Sequence, residues 1–170
     1  MQAPAAVERT TAWALRVAAV LSFVAPLLTR LVIGQAYFFT GRGKLQNFEN
    51  TVGFFTELGI PFPAANAAFV SRLEYYGGML LIAGLLTRLV ALGLAGSMVV
   101  ALMTADKETF VAALLGRGEA GLTDIAAFVY LLFLVWLILF GPGPLSLDGL
   151  LARFFRGKEK ETPPTSKGGA

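Results

Sequence analysis

Two ionised side chains stand inside apolar stretches of this chain: Arg30 within 17–41 and Glu74 within 66–87. A charge at the centre of a bilayer costs about 3 kcal/mol on insertion scales, so such residues face a bundle interior and pair with each other or with backbone. An arginine there orients a carbonyl or anionic oxygen, while a carboxylate balances that charge or carries a proton. Counting about 1.5 Å per residue from the outer helix ends puts Arg30 roughly 16 Å in from Gly41 and Glu74 roughly 12 Å in from Asn66, so an Arg30–Glu74 contact is expected. Asp124 and Arg72 sit shallower and are expected to form a second pair or extend the first into a network. The alternative is structural: a buried arginine–carboxylate pair also fixes helix register without binding anything. Sequence leaves both open.

The neighbours of these charges share helical faces. At 100° per residue Arg30, Gly34, Tyr37, Gly41 and Lys44 fall within about 40° of one line, and Glu74, Gly78, Leu81, Leu85 and Arg88 share a stripe flanked by Gly77 and Gly84. Glycines on such faces let membrane helices pack backbone to backbone. Tyr37, Phe38 and Phe39, facing Tyr75 and Tyr76, are placed to line a slot for a planar lipid-soluble ligand such as a quinone, with Arg30 or Glu74 bonding its oxygens. Aromatics at a membrane interface also serve as plain anchors. Gly53-Phe54-Phe55 followed by Gly59-Ile60-Pro61-Phe62-Pro63 reads as a rigid lid or interfacial loop rather than a catalytic one.

Composition decides what must hold these residues. Of 170 residues 56% are hydrophobic and 15% charged, with a mean hydropathy of +0.68. Soluble domains run nearer 25% charged. The length suits about four helices of about 20 residues, so the expected fold is an all-α integral membrane protein, a four-transmembrane-helix bundle with short loops. Cysteine and histidine are both absent. That removes disulfides, thiol nucleophiles, zinc sites and imidazole chemistry, and no metal site is expected. The net charge of +3 does not point to nucleic acid, because the basic residues flank apolar segments rather than forming an aromatic-rich surface.

Four spans are expected at 17–41, 66–87, 89–103 (lengthening to about 106) and 122–140. Residues 1–16 form a leading segment without signal-peptide character, 17–148 the membrane domain, and 149–170 an amphipathic then disordered tail from Gly157 on. Pro26 either kinks the first span or marks its true start. Eight basic residues (Arg9, Arg16, Arg88, Arg153, Arg156, Lys158, Lys160, Lys167) lie on one side and four (Arg42, Lys44, Lys107, Arg117) on the other, which places both termini in the cytoplasm.

The order of motifs carries a resemblance. Arg30-Leu31-Val32-Ile33-Gly34, then Gly41-x-Gly43-Lys44-Leu45, then Phe54-Phe55-x3-Gly59-Ile60-Pro61 resembles the DoxX family of small four-helix membrane proteins. Glu74-x2-Gly77-Gly78, Gly84-Leu85-Leu86-Thr87-Arg88 and Gly141-Pro142-Gly143-x-Leu145-Ser146-Leu147-Asp148 extend the match over about residues 25–150. The resemblance implies a multi-pass protein of a bacterial inner membrane, with the family's charged positions on Arg30, Lys44, Glu74, Thr87-Arg88 and, entering the fourth helix, Asp124. It also implies a redox or oxidative-stress complex: family members are linked to the DoxD-type membrane subunit of thiosulfate:quinone oxidoreductase and to complexes with superoxide dismutase and a sulfurtransferase. Sulfur chemistry would need thiols from a redox partner subunit, so the isolated chain is not expected to be an enzyme. The expected functional centre is Arg30, Glu74 and Asp124, with Tyr37, Lys44 and Arg72 nearby, and quinone is the ligand that the resemblance admits. Homo-oligomerisation is compatible with this reading. The competing reading is a non-catalytic scaffold whose buried charges only fix helix packing.

Overall fold

Pro26 decides where the first long helix begins. In the computed structural model, which describes residues 12–13, 15–16 and 21–161 and side chains through Phe154, α1 runs Val24–Gln46. Pro26 lies in its first turn, where a missing N–H is harmless, and Leu27 makes the first bond, to the Phe23 carbonyl at 3.3 Å. Proline therefore marks the start and no kink follows. The far end differs from expectation: α1 continues five residues beyond Gly41, because Gly41 and Gly43 are carried in helical conformation by their neighbours.

A short lid helix follows. α2 (Phe48–Glu57) is joined to α1 at Asn47, and the Thr51 hydroxyl ties the corner by donating to the Asn47 carbonyl at 3.0 Å, with that of Lys44 at 3.2 Å. Gly59, at φ +69°, ends it; the Ile60 N–H returns to the Phe55 carbonyl at 3.0 Å, a Schellman closure that only an unhindered left-handed residue makes cheaply. α3 (Pro63–Ala83) opens with proline at its first position, and α4 (Thr87–Met103) follows after a three-residue turn. The chain then bends by 84° into α5 (Lys107–Leu114), so the third span ends at Met103 rather than lengthening. A 3-10 turn (Leu122–Asp124) precedes α6 (Ala126–Phe140), and α7 (Leu147–Glu161) closes the described chain.

The elements are all helical among the described residues. α1 packs most extensively on α3, α4 on α6, and the two pairs close a four-helix bundle around Ile33, Tyr37, Leu81, Leu94, Leu134 and Leu137. A second apolar cluster of Leu102, Ile125 and Ala127, backed by Phe110 and Phe128, seals the α5 end. The α1–α3 contact is made by small residues: Gly34, Gly41 and Gly78 leave no room for a Cβ, which would lie 2.8 Å from Ile82 Cγ1, 2.3 Å from the Tyr75 N and 2.4 Å from the Phe38 N. α7 extends through Glu161, past the point where the sequence suggested a disordered tail, because Gly157 sits in a run of Lys and Glu that favours helix. Residues 1–11, 14, 17–20 and 162–170 lie outside the described residues, and with them most of the leading segment, the start of the expected first span and the end of the tail.

No single helix among the described residues is long and apolar enough to cross a membrane; the bent pair α4–α5 passes only jointly. The cause is divided. α1 and α3, with 23 and 21 residues, are long enough but carry Arg30, Arg42 and Lys44, or Arg72 and Glu74. α4 and α6, with 17 and 15, are apolar but short of the roughly 20 residues that a bilayer asks.

Candidate functional site

The two charges that the sequence places inside apolar stretches belong to opposite ends of the bundle. α1 and α3 run antiparallel with Gly41 beside Glu74–Tyr75, Gly34 beside Gly78, and Gly84 against the Arg30 guanidinium. Arg30 thus lies level with residue 84, ten positions or about 15 Å along the helix from Glu74. The expected Arg30–Glu74 contact is absent from this register. The depth estimate erred because α1 ends at Gln46 rather than Gly41 and because the outer ends of α1 and α3 are not level.

Arg30 holds a clasp. Its Nη2 donates to the Leu145 carbonyl at 2.6 Å, and Nη1 lies so close to Gly84 that a Cβ there would overlap it. Gly84, at φ +70°, is therefore required twice, by its conformation and by the guanidinium against it. Opposite, Asp148 accepts from the N–H groups of Leu86 (2.8 Å) and Thr87 (2.9 Å), and its own N–H donates to the Gly84 carbonyl at 2.9 Å. A carboxylate on two free amides at the start of α4 is a helix cap supplied from a distant segment. Ser146 caps α7 in turn, its Oγ accepting from the Gly149 N–H at 3.0 Å. The Gly84–Arg88 and Gly141–Asp148 motifs thus meet in space as one structural joint.

Glu74 is paired with Lys44. The ammonium donates to Glu74 Oε1 at 2.5 Å, with the glutamate 2% and the lysine 33% exposed. This is the ion pair of the bundle among the described residues, and it is only half satisfied: Glu74 Oε2 is buried without a partner. Both residues line a pocket of about 590 Å³ bounded by the lid (Phe54, Phe55, Ile60), α3 (Phe69, Leu73) and α4 (Gly93, Gly96, Ser97). Its walls are mostly apolar. The Gly93 and Gly96 stretch of α4 leaves space where larger side chains would fill it, and a Cβ at Gly96 would meet nothing within 4 Å. A cavity of this volume with a few converging polar groups is the usual form of a small-molecule site.

The other expected site residues are placed elsewhere. Tyr37 is buried in the core beside Tyr130, ring centroids 5.6 Å apart, with its hydroxyl unpartnered, and it does not line the pocket. Asp124 is exposed and accepts from the Gly121 N–H at 2.8 Å, closing its own 3-10 turn ahead of α6. Arg72 is exposed and donates to the Ala68 carbonyl at 3.0 Å, one turn back on α3. Asp124 and Arg72 therefore form no pair with each other. The expected aromatic slot is filled by its own members: Phe38 stacks on Tyr75 at 5.1 Å and 27°, with Phe39 and Tyr76 at the edges of this pair. The pocket opens on the other side of α3, under the segment that the sequence marked as a lid. Phe69, Leu73, Gly93, Gly96 and Ser97 were missed as site residues; the small residues of α4 at i and i+4 (Gly93, Ser97) were the available signal.

The chain is similar to known proteins in two ways. The family model described as DoxX matches residues 25–107. A protein of Bacillus subtilis (strain 168), "Putative oxidoreductase CatD", is 32% identical over 138 residues, which cover 80% of this chain and 91% of that protein. No solved structure matches.

Proposed function

The chain belongs to the DoxX family, and on that premise we propose that it is the membrane component of a redox complex, whose pocket between lid, α3 and α4 receives the head group of a lipid-soluble quinone. The observation that carries this reading is the Lys44–Glu74 pair set at the wall of an otherwise apolar pocket of about 590 Å³. Such a pair costs desolvation wherever it is buried, and a neutral head group offering polar atoms recovers part of that cost.

The membrane placement rests on the outer surface. Leu28, Val32 and Phe39 on α1, Phe69 on α3, Leu92 and Val99 on α4, and Leu132 and Leu139 on α6 are all exposed. A water-soluble monomer rarely shows contiguous apolar surface of that extent, whereas lipid contact demands it. In this reading α1, α3, α4 and α6 cross the inner membrane with both termini cytoplasmic. α4 and α6 are short, and the bilayer adapts by thinning around them. The lid and the pocket then face the outer leaflet and the Arg30–Asp148 joint the cytoplasmic one, the side with more Lys and Arg. The name of the Bacillus subtilis relative, a putative oxidoreductase, supports a redox role; with no cysteine in this chain, the oxidation of a thiol or sulfur substrate falls to a partner subunit.

The scaffold reading fits one half of the molecule. Arg30 and Asp148 are engaged with backbone at a joint between helices, and we assign them to register rather than to a ligand. The test of the pocket reading is thermal unfolding of the detergent-purified protein with and without ubiquinone and menaquinone analogues, for wild type and for Gly96→Leu. A Cβ at 96 meets nothing within 4 Å, and a leucine there is placed to occupy pocket space. A quinone-dependent rise in Tm that the variant lacks is the expected result, because a ligand bound only by the folded state stabilises it by mass action. Equal shifts in both proteins would remove the pocket from the account.

A further inference from the structure

We propose that the pocket selects the reduced, quinol form over the quinone; the proposal rests on the quinone reading above and sharpens it. Its basis is the hydrogen-bond inventory of the Lys44–Glu74 pair. Lys44 is a donor only: one N–H goes to Glu74 Oε1, and two remain for an occupant. Glu74 is an acceptor only, and Oε2 is buried with no donor in reach among the described residues. A buried acceptor left unmet is costly, more so when it carries charge. An occupant that satisfies the pair must therefore bring an O–H or N–H for Glu74 and a lone pair for Lys44 on the same small polar end.

The two redox forms share ring substituents and tail and differ at their polar ends in this respect. A quinone carbonyl accepts from Lys44 and has nothing to give Glu74. A quinol hydroxyl accepts from Lys44 through its oxygen and donates its proton to the Glu74 carboxylate, which stands beside Lys44 in the pocket wall. Anionic head groups meet the opposite difficulty, since the carboxylate repels them at the same point that the ammonium attracts them. The neutral hydroxyl is the match, and the apolar walls formed by Phe55, Phe69 and Leu73 take the ring and the first part of its tail. Sites built around a substrate hydroxyl reject the analogue without it strongly, because the protein's own group is then left unpaired. The Tyr37 hydroxyl is an internal rival as donor to Glu74, being buried and unpartnered in the same bundle. It makes no hydrogen bond in this structure and stands outside the pocket.

The test is equilibrium binding to the full chain in detergent or nanodiscs, under anaerobic conditions, of three short-tailed ligands with the same ring: the quinone, the quinol, and the quinol with both hydroxyls methylated. The expected result is at least tenfold tighter binding of the quinol, with the methylated ring no better than the quinone. Tenfold corresponds to a rise of about 30 mV in the midpoint potential of the bound two-electron couple, so a redox titration of the bound ligand reads the same preference. Tyr37→Phe is expected to leave the ratio unchanged, and Glu74→Gln to bring it below about threefold. Equal binding of quinol and quinone by wild type, or tight binding of the methylated ring, would overturn the selectivity while leaving a quinone pocket in place. If none of the three binds, the pocket reading falls and the selectivity with it. A ratio lost in Tyr37→Phe would transfer the role from the carboxylate to the tyrosine and overturn the assignment to Glu74.

Discussion

Replacing Gly78 with alanine probes the contact on which the pair at the pocket depends. The added Cβ would lie 2.4 Å from the Phe38 N and 2.7 Å from the Gly34 O, both backbone atoms that no side-chain rotation can move. Ordinary contact begins at 3.4 Å, so α1 and α3 must part by about 1 Å along their main interface. Overpacking of this kind costs about 1–3 kcal/mol, and the backbone obstacle places Gly78→Ala at the upper end. The same displacement carries Lys44 away from Glu74, stretching a 2.5 Å contact to about 3.5 Å, beyond the range of a charge-assisted hydrogen bond. Two neighbouring glycines serve as internal standards. At Gly77 the nearest atom to a Cβ is Val90 Cγ1 at 3.1 Å, a side-chain methyl that can give way, so Gly77→Ala should cost about 1 kcal/mol or less. At Gly43 nothing lies within 4 Å, and Gly43→Ala should stabilise by about 0.5–1 kcal/mol through helix propensity. The assay is reversible unfolding of each variant in mixed micelles, read by far-UV circular dichroism. The reasoning would be refuted by Gly78→Ala falling within 0.5 kcal/mol of wild type, or by Gly77→Ala costing as much as Gly78→Ala.

Further substitutions separate joint from pocket. Asp148→Ala removes the acceptor from two backbone amides and should destabilise by about 1–2 kcal/mol in the same unfolding assay, with quinone binding by the folded fraction unchanged. Gly84→Ala forces a left-handed residue against the Arg30 guanidinium and should cost more than Asp148→Ala, measured as a lower Tm and reduced yield of folded protein. Lys44→Met strands a carboxylate that is 2% exposed and should cost about 3–5 kcal/mol, whereas Glu74→Gln leaves a lysine that is a third exposed and able to reach water, at about 1 kcal/mol. Equal costs for these two would contradict the half-buried geometry of the pair.

The sequence carried the architecture further than it carried the site. Pro26, the Gly59 stop and the apolar run before Gly141 each place a helix boundary by local backbone chemistry, whereas Gly84, read as part of a span 66–87, ends α3 at Ala83; the glycine stripes of α1 and α3 announce a close contact. Register between helices is not a local property. Arg30 and Glu74 share similar depths when each span is measured from its own supposed end, yet the contact of Gly41 with Tyr75 sets them about 15 Å apart. Asp124 looked like a charge within a span because the run 122–140 is apolar; the 3-10 turn excludes it from the helix. Asp148, read as a motif ending, proved to be the cap of a helix that starts 61 positions earlier, which no window along the chain would reveal. The aromatic slot failed for a packing reason, since Phe38 and Tyr75 fill the space between them by stacking. The pocket depends instead on absent side chains at Gly93 and Gly96, visible only when α4 is seen under the lid.

The central claim is that a quinone occupies the space beside Lys44 and Glu74, and photolabelling with an azidoquinone followed by peptide mapping tests it most directly. The account predicts labelling, competed by excess unlabelled quinone, confined to the lid peptide around Phe54–Ile60 and to α4 around Gly93–Ala101, and lost in Gly96→Leu. Competed labelling on the Phe38–Tyr75–Tyr76 face, or at the Arg30 joint, would contradict it.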